Sequence, residues 1–210
     1  MILKKECYND ERAIKKGNSL MLKKVIEEAF PTVLAFTMSG MYSIADGIFV
    51  GKAAGDTGLA AINIAWPIPA LITALGIGIG TGGSVLYSHY RGREEQKVCE
   101  NLFELTMTLL IGTGILATIL LSLVQKPFLE ILGAAGSVQT EAIKYTAIII
   151  AGSILQVAGT GIMPLLRNMN QSLGAMLSMA AGFAVNILVN YYLMFRLNMG
   201  IRGAAFGTVT

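Results

Sequence analysis

The sequence predicts an all-α integral membrane protein with five complete transmembrane helices and the start of a sixth. Two observations carry that reading. Apolar residues make up 54% of the chain and charged residues only 14%, where a soluble domain carries about a quarter charged. The charges it does have are gathered between long neutral runs rather than spread over helix faces.

Those runs give the elements in order. Ala29 to Ala45 is uncharged, and apolar character continues past Asp46 to Val50. Thr57 to Tyr90 holds no Asp, Glu, Lys or Arg, and Leu105 to Gln125, Tyr145 to Leu166 and Asn168 to Phe195 follow. Each reaches the roughly 20 residues that a helix needs to cross about 30 Å of hydrocarbon. The resulting helices span about 27–50, 59–88, 103–124, 143–165 and 174–195, and a sixth opens at 203 and is cut off at 210. A β-barrel is excluded because barrel strands alternate apolar and polar residues over about ten positions, and these runs are continuously apolar. The second run is too long for one upright helix, and Pro67 and Pro69 near its start predict a bend there, followed by tilt.

Residues 1–24 form a polar segment, and 25–210 form the membrane lobe. A cleavable signal peptide places its apolar core soon after a short basic start. Here the first apolar run begins near Ala29 and no small-residue cleavage site follows, so the first helix is retained. Orientation follows from the Lys and Arg flanks. With the N-terminus inside, eleven of the 16 basic residues face the cytoplasm, including the N-terminal seven, Arg91, Arg93, Lys97 and Arg167. Lys52, Lys126, Lys144, Arg196 and Arg202 face outward. The chain is therefore expected to be multi-pass in the plasma (inner) membrane with a cytoplasmic N-terminus. Trp66, Tyr87, Tyr90, Tyr191 and Tyr192 fall near helix ends, where interfacial aromatics concentrate.

No enzyme signature is present. There is no GxSxG, HExxH or GxxxxGK[ST], and the one histidine, His89, lies at a membrane boundary. The glycines from Gly76 to Gly83 lie inside an apolar span rather than between a strand and a helix, so they are not a nucleotide loop. They either let helix backbones approach closely or let a helix slide as the protein changes state. Cys7 and Cys99 are too few for a disulfide framework and lack metal-ligand spacing. No cofactor and no nucleic-acid partner is indicated.

The informative polar residues lie inside the spans. Asp46 is a carboxylate in an apolar helix, a costly placement that marks a bundle interior or water-filled path, unless it is simply solvated at the helix end. Asn186 and Asn190 are four apart and share one face of the fifth helix, as an interhelical hydrogen-bonding pair or a binding pair. Asp46 lies six residues before Lys52, Asn190 six before Arg196, and Thr208 six after Arg202. All three thus sit at one depth, roughly 9 Å in from the outer basic residues. Tyr42 and Asn186 lie one turn deeper. Such a cluster suits a proton, Na⁺ held at Asp46, Asn186 and Asn190, or a cationic group.

Several segments resemble the N-terminal half of the multidrug and toxic compound extrusion (MATE) family of cation-coupled exporters. They are Pro31, Asp46-Gly-Ile-Phe-Val-Gly51, Gly58-Leu-Ala-Ala61, Ala65-Trp-Pro-Ile68 and Tyr90-Arg-Gly-Arg-Glu-Glu95, with Leu166-Arg-Asn168, Asn186-Ile-Leu-Val-Asn190 and Gly203-Ala-Ala-Phe-Gly-Thr208 completing the order. The resemblance implies one six-helix lobe of a two-lobe, twelve-helix antiporter. It would export cationic small molecules and drugs against H⁺ or Na⁺ and need a C-terminal lobe absent from these residues. It also implies that Asp46 is the coupling carboxylate, working with Tyr42, Asn186, Asn190 and Thr208, and that Pro31 bends the first helix. Asn190 stands where many members carry a second Asp. The alternative is a lipid or lipid-linked-oligosaccharide flippase of the wider superfamily, which would need cationic residues in its cavity for phosphate headgroups; this half has none in mid-membrane.

The orientation makes a direct prediction. An impermeant thiol reagent applied to intact cells leaves Cys7 and Cys99 unlabelled, and labelling of Cys7 from outside would reverse the topology.

Overall fold

The chain folds as seven α-helices, with no strand among the described residues. The computed structural model describes the backbone of residues 2–209, and side chains from residue 22 onward except those of Lys24, Glu28 and Thr210. The expected end of the sixth span at Thr210, and the side chains of Cys7 and the basic residues before residue 22, lie outside the described residues.

The first helix, α1 (Ile2–Ala65), takes in the polar N-terminal segment and the first span. Its apolar part, Val25–Ala65, is 41 residues long. That is about 60 Å of helix, twice the hydrocarbon thickness, so it cannot be one straight crossing. Gly55 divides it. Its φ of 64° and ψ of −166° lie in a region open essentially to glycine alone, and the helix breaks there. The arm after the break leads into α2 (Pro67–Arg91). Only Trp66 intervenes, and its backbone is still right-handed helical, at φ −48° and ψ −37°. Pro67 and Pro69 supply no N–H to the ladder, and regular bonding resumes where the Ala70 N–H donates to the Trp66 carbonyl at 3.1 Å. The second span, expected to begin near residue 59, therefore starts in the last turns of α1 and passes through this seam.

Next comes α3 (Gln96–Ile131), whose 36 residues extend about 20 Å beyond a single crossing. The fourth span, expected as one helix over 143–165, is instead two: α4 (Gly136–Ala151) and α5 (Ser153–Asn168), bent by 59° at Gly152. Charge patterning is blind to such a bend, and no proline marks it, because Pro164 lies three turns further on. The fifth span is α6 (Ser172–Tyr191), continued by a π-helical turn over Tyr192–Arg196. Last is α7 (Ile201–Val209), the opening of the sixth. Four helices are long and apolar enough to cross a membrane, and the bent pair makes a fifth.

Ile68, Ile72, Leu110, Tyr145, Ile149, Val157 and Ala205 form the core of the bundle. Outside it, Leu105, Leu109, Leu116, Ile119 and Leu123 line exposed faces of α3, as expected for a surface solvated by lipid. The glycines of α2 divide between two environments. Gly76 faces Val157 and Thr160, Gly80 lies on the backbone of Gly161, and Gly83 meets Thr106, whereas Gly78 and Gly82 face open space. Three of the five thus serve close helix contact.

This contrast is testable. Gly80→Val must push α2 off α5 and costs about 1–3 kcal/mol. The purified protein should melt several degrees lower in detergent, while Gly78→Val stays within about a degree of wild type. Equal effects of the two substitutions would show that α2 does not pack on α5 through Gly80.

Candidate functional site

The arm of α1 before Gly55 and α6 run in the same direction, so their four-residue spacings coincide. Tyr42 faces Asn186 and Asp46 faces Asn190 across the interface. Asn190 Nδ2 donates to Asp46 Oδ1 at 2.7 Å and to Asn186 Oδ1 at 2.9 Å. Asn186 Nδ2 donates to the Tyr42 hydroxyl at 3.0 Å and to the Gly207 carbonyl on α7. All four amide protons of the two asparagines are thereby spent in series. The Tyr42 ring stacks on Phe183 of α6, with centroids 5.1 Å apart and planes 9° apart. These contacts fix the register of α1 on α6.

Asn186 and Asn190 are 6% and 1% exposed, while Asp46 and Tyr42 are half-buried. The ion pairs among the described residues, Lys23–Glu27 and Lys144–Glu141, both lie elsewhere, and the Asp46 carboxylate is met by an amide rather than by a cation. The Asn190 Oδ1 atom is buried without a hydrogen-bond partner. It lies against Gly207, where any side chain would run into the carboxamide. An acceptor left open beside a carboxylate is an oxygen-rich place for a small hard cation. No group of three or more His, Cys, Asp or Glu that could hold a metal ion occurs among the described residues.

Thr208 reaches the site differently from Asp46. Its hydroxyl donates to the Ala204 carbonyl at 2.9 Å, which leaves its lone pairs facing outward. It neighbours the hydroxyls of both Tyr42 and Tyr145. Thr208 thus joins the cluster through tyrosines and does not touch Asp46 directly. Pro31 is buried in α1 three turns before Tyr42, and the helix runs through it unbroken. It stands outside the cluster.

Tyr145 is the residue that sequence reasoning missed. It comes from α4, is 4% exposed, and feels the charge of Asp46 and the hydroxyl of Tyr42. It had served only as the first residue of a charge-free run. The available signal was its hydroxyl, because a buried tyrosine in a membrane segment needs a polar partner. The importance of Gly207 was equally hidden, since it depends on what lies opposite.

Comparison with known proteins follows from this geometry. A family model described as MatE matches residues 31–192. The multidrug export protein MepA of Staphylococcus haemolyticus (strain JCSC1435) is 22% identical over 205 residues, covering 95% of this chain and 44% of that protein. A multidrug resistance MATE family transporter of the MOP superfamily, solved in an outward-facing conformation, superposes with a TM-score of 0.80 at 25% identity, covering 88% of this chain and 41% of its own. A MATE structure in a bent conformation gives a TM-score of 0.77 at 25% identity, with the same coverages. The chain spans less than half the length of the relatives it matches.

Asn190 provides a probe of the cluster. Asn190→Asp replaces two donors with acceptors and sets a second carboxylate against Asp46 Oδ1, a repulsion that a bound cation relieves. The melting temperature of the variant should rise by about 5 °C or more on adding Na⁺ or acid, well beyond the wild-type response. A response equal to wild type would mean that the two side chains do not share a cation-accessible space.

Proposed function

The chain belongs to the MatE family, and on that footing we propose that it is the N-terminal lobe of an ion-coupled antiporter that exports organic cations and drugs across the plasma membrane. One observation carries the reading: a half-buried carboxylate, Asp46, held by the Asn190 amide and unneutralised by any Lys or Arg among the described residues. A charge left open in this way binds cations, and a single carboxylate balances one of them at a time.

In this reading the coupling ion and the cationic substrate compete for the same charge. H⁺ on the Asp46 carboxylate, or Na⁺ between the carboxylate and the oxygens of Asn190 and Asn186, cancels the attraction that retains substrate. Arrival of the ion from outside then releases substrate outward. Rocking of the two lobes carries the ion to the inner side, where it dissociates. Asn190 and Asn186 orient the carboxylate, and Tyr42 ties the network to α1. Pro31 removes one ladder hydrogen bond from α1 and gives that helix a place to bend. Among the described residues no Lys or Arg pairs with the cluster, which suits a cationic cargo better than a phosphate headgroup. The N-terminus is cytoplasmic in this scheme, which places the cluster in the outer half of the membrane.

Asp46→Asn in the full-length protein tests the proposal. It keeps the size and most of the hydrogen bonding of the side chain but not its charge. The variant should reach the membrane at wild-type abundance, with gradient-driven ethidium efflux reduced about ten-fold or more. Efflux at the wild-type rate with unchanged H⁺ and Na⁺ dependence would make the site structural.

A further inference from the structure

Tyr145 meets the Asp46 cluster from α4, and α4 is joined to α5 by a 59° bend at Gly152. Gly–Ser pairs are a recognised cause of kinks, and this one is Gly152–Ser153. A bend interrupts the hydrogen-bond ladder, so the direction of the arm beyond it must be set by contacts from outside. Helix α3 contacts both arms, beside α1 and α7 on α4 and α2 on α5. Gly114, Thr118, Leu121 and Gln125 are spaced four, three and four apart and form one stripe along α3.

The stripe grips the bent helix on both sides of Gly152. On the α5 side, the Ser153 hydroxyl, fully buried, lies 2.6 Å from the Thr118 hydroxyl and 3.2 Å from the Gly114 carbonyl. Most described Ser and Thr hydroxyls bond a carbonyl of their own helix, as Thr37, Ser43 and Ser88 do. Ser153 bonds across to α3 instead. On the α4 side, Gln125 Nε2 donates to the Ile143 carbonyl at 2.8 Å and to the Thr146 hydroxyl at 2.5 Å. Thr146 spends its own proton on the Ala142 carbonyl at 2.7 Å, so its lone pair is free to accept. Both amide protons of Gln125 thus go to residues flanking Tyr145. From the opposite side Val209, next to Thr208, packs on Gly152 where a Cβ would not fit.

We propose that Gln125, with Thr118 and Ser153, is a positioning residue for transport: α3 splints the Gly152 bend and so holds the Tyr145 hydroxyl against Thr208 and the Asp46 cluster. This rests on the reading of that cluster as the coupling site. Gln125 itself touches none of the cluster residues. It acts through α4, and its removal changes how well the site engages the driving ion rather than whether the bundle forms.

The test uses the full-length protein and gradient-driven ethidium efflux from intact cells, measured against the concentration of the driving ion, H⁺ or Na⁺. Gln125→Met keeps the length and apolar contacts of the side chain and removes the donor. It should raise the half-saturating ion concentration about five-fold, with membrane abundance and efflux at saturating ion retained. Thr146→Val should do the same, and it carries the test if Gln125→Met fails to accumulate. Thr146→Ser, which keeps the hydroxyl, should restore the wild-type dependence. In a Tyr145→Phe background Gln125→Met should add nothing. The splint is overturned if Gln125→Met and Thr146→Val leave the ion dependence unchanged, or if Gln125→Met produces its full shift when Tyr145 is already Phe. Asp46→Asn in the same assay separates the two readings. Wild-type efflux there removes the coupling site and the splint with it, whereas lost efflux beside an additive Gln125→Met overturns the splint alone.

Discussion

Asp46 reaches the interior of an apolar bundle with no described lysine or arginine beside it, so its charge has to be met by dipoles. An unpaired carboxylate in hydrocarbon is prohibitively costly, and even a partly wetted one needs donors held in place. The Asn190 amide supplies one and is itself held by Asn186, which is anchored on Tyr42 and the Gly207 carbonyl. Much follows from that chain of donors. Helices α1 and α6 must run the same way and in register, since a one-residue slip would turn both asparagines off the face that meets α1. Helix α7 must come close enough to present a carbonyl, and position 207 must lack a side chain.

The rest of the bundle meets the same demand at a distance. In lipid no hydrophobic effect drives helices together, so close packing and interhelical hydrogen bonds do the work. Helix α2 lies on α5 through Gly76 and Gly80, and α5 lies on α3 through Gly114. These backbone-to-backbone contacts fix the α5 half of the bent helix. Its other half, α4, meets α1 and α7 at the cluster, and polar side chains of α3 reach it as well. Close glycine packing therefore concentrates on α5, while directional polar contacts from α3 reach both arms of the span.

How much of this the sequence disclosed depended on whether the signal was local. The spans were legible because desolvating charge is an additive, residue-by-residue penalty, and charge-free runs mark where it is avoided. The ends of the helices were not, because a charged residue leaves the membrane without leaving the helix; α3 begins at Gln96 and α1 includes the polar segment before residue 25. Tyr42, Asp46, Asn186 and Asn190 were placed together from four-residue spacing and from distance to the basic flanks, two measures that helix geometry makes reliable. The bend at Gly152 left no mark in the charge pattern, and its local signal, the Gly152–Ser153 pair, gains meaning only from a serine that bonds to another helix. Tyr145 was missed for the same reason: its role is set by Thr208 and by the bend, and neither is visible in its neighbours along the chain. The break at Gly55 falls between the two expected helices, though only the length of α1 shows why it must exist.

An amide at Asn190, rather than a second acid, gives the cluster its particular character. Two carboxylates sharing a site repel each other and hold a cation or proton between them even at rest. One carboxylate with an amide partner is self-consistent when empty of cations, because the amide donates to it. The open Asn190 carbonyl then becomes the element that distinguishes the states. It has no partner while the amide faces Asp46, and it gains one only if a cation arrives or the carboxamide turns. Turning is resisted by Asn186, which accepts from the same nitrogen, and by Gly207 packed behind. On the proposed reading, a cation arriving at Asp46 would act on two helices at once, through the α1 carboxylate and the α6 carboxamide, with Gly207 of α7 packed against the latter.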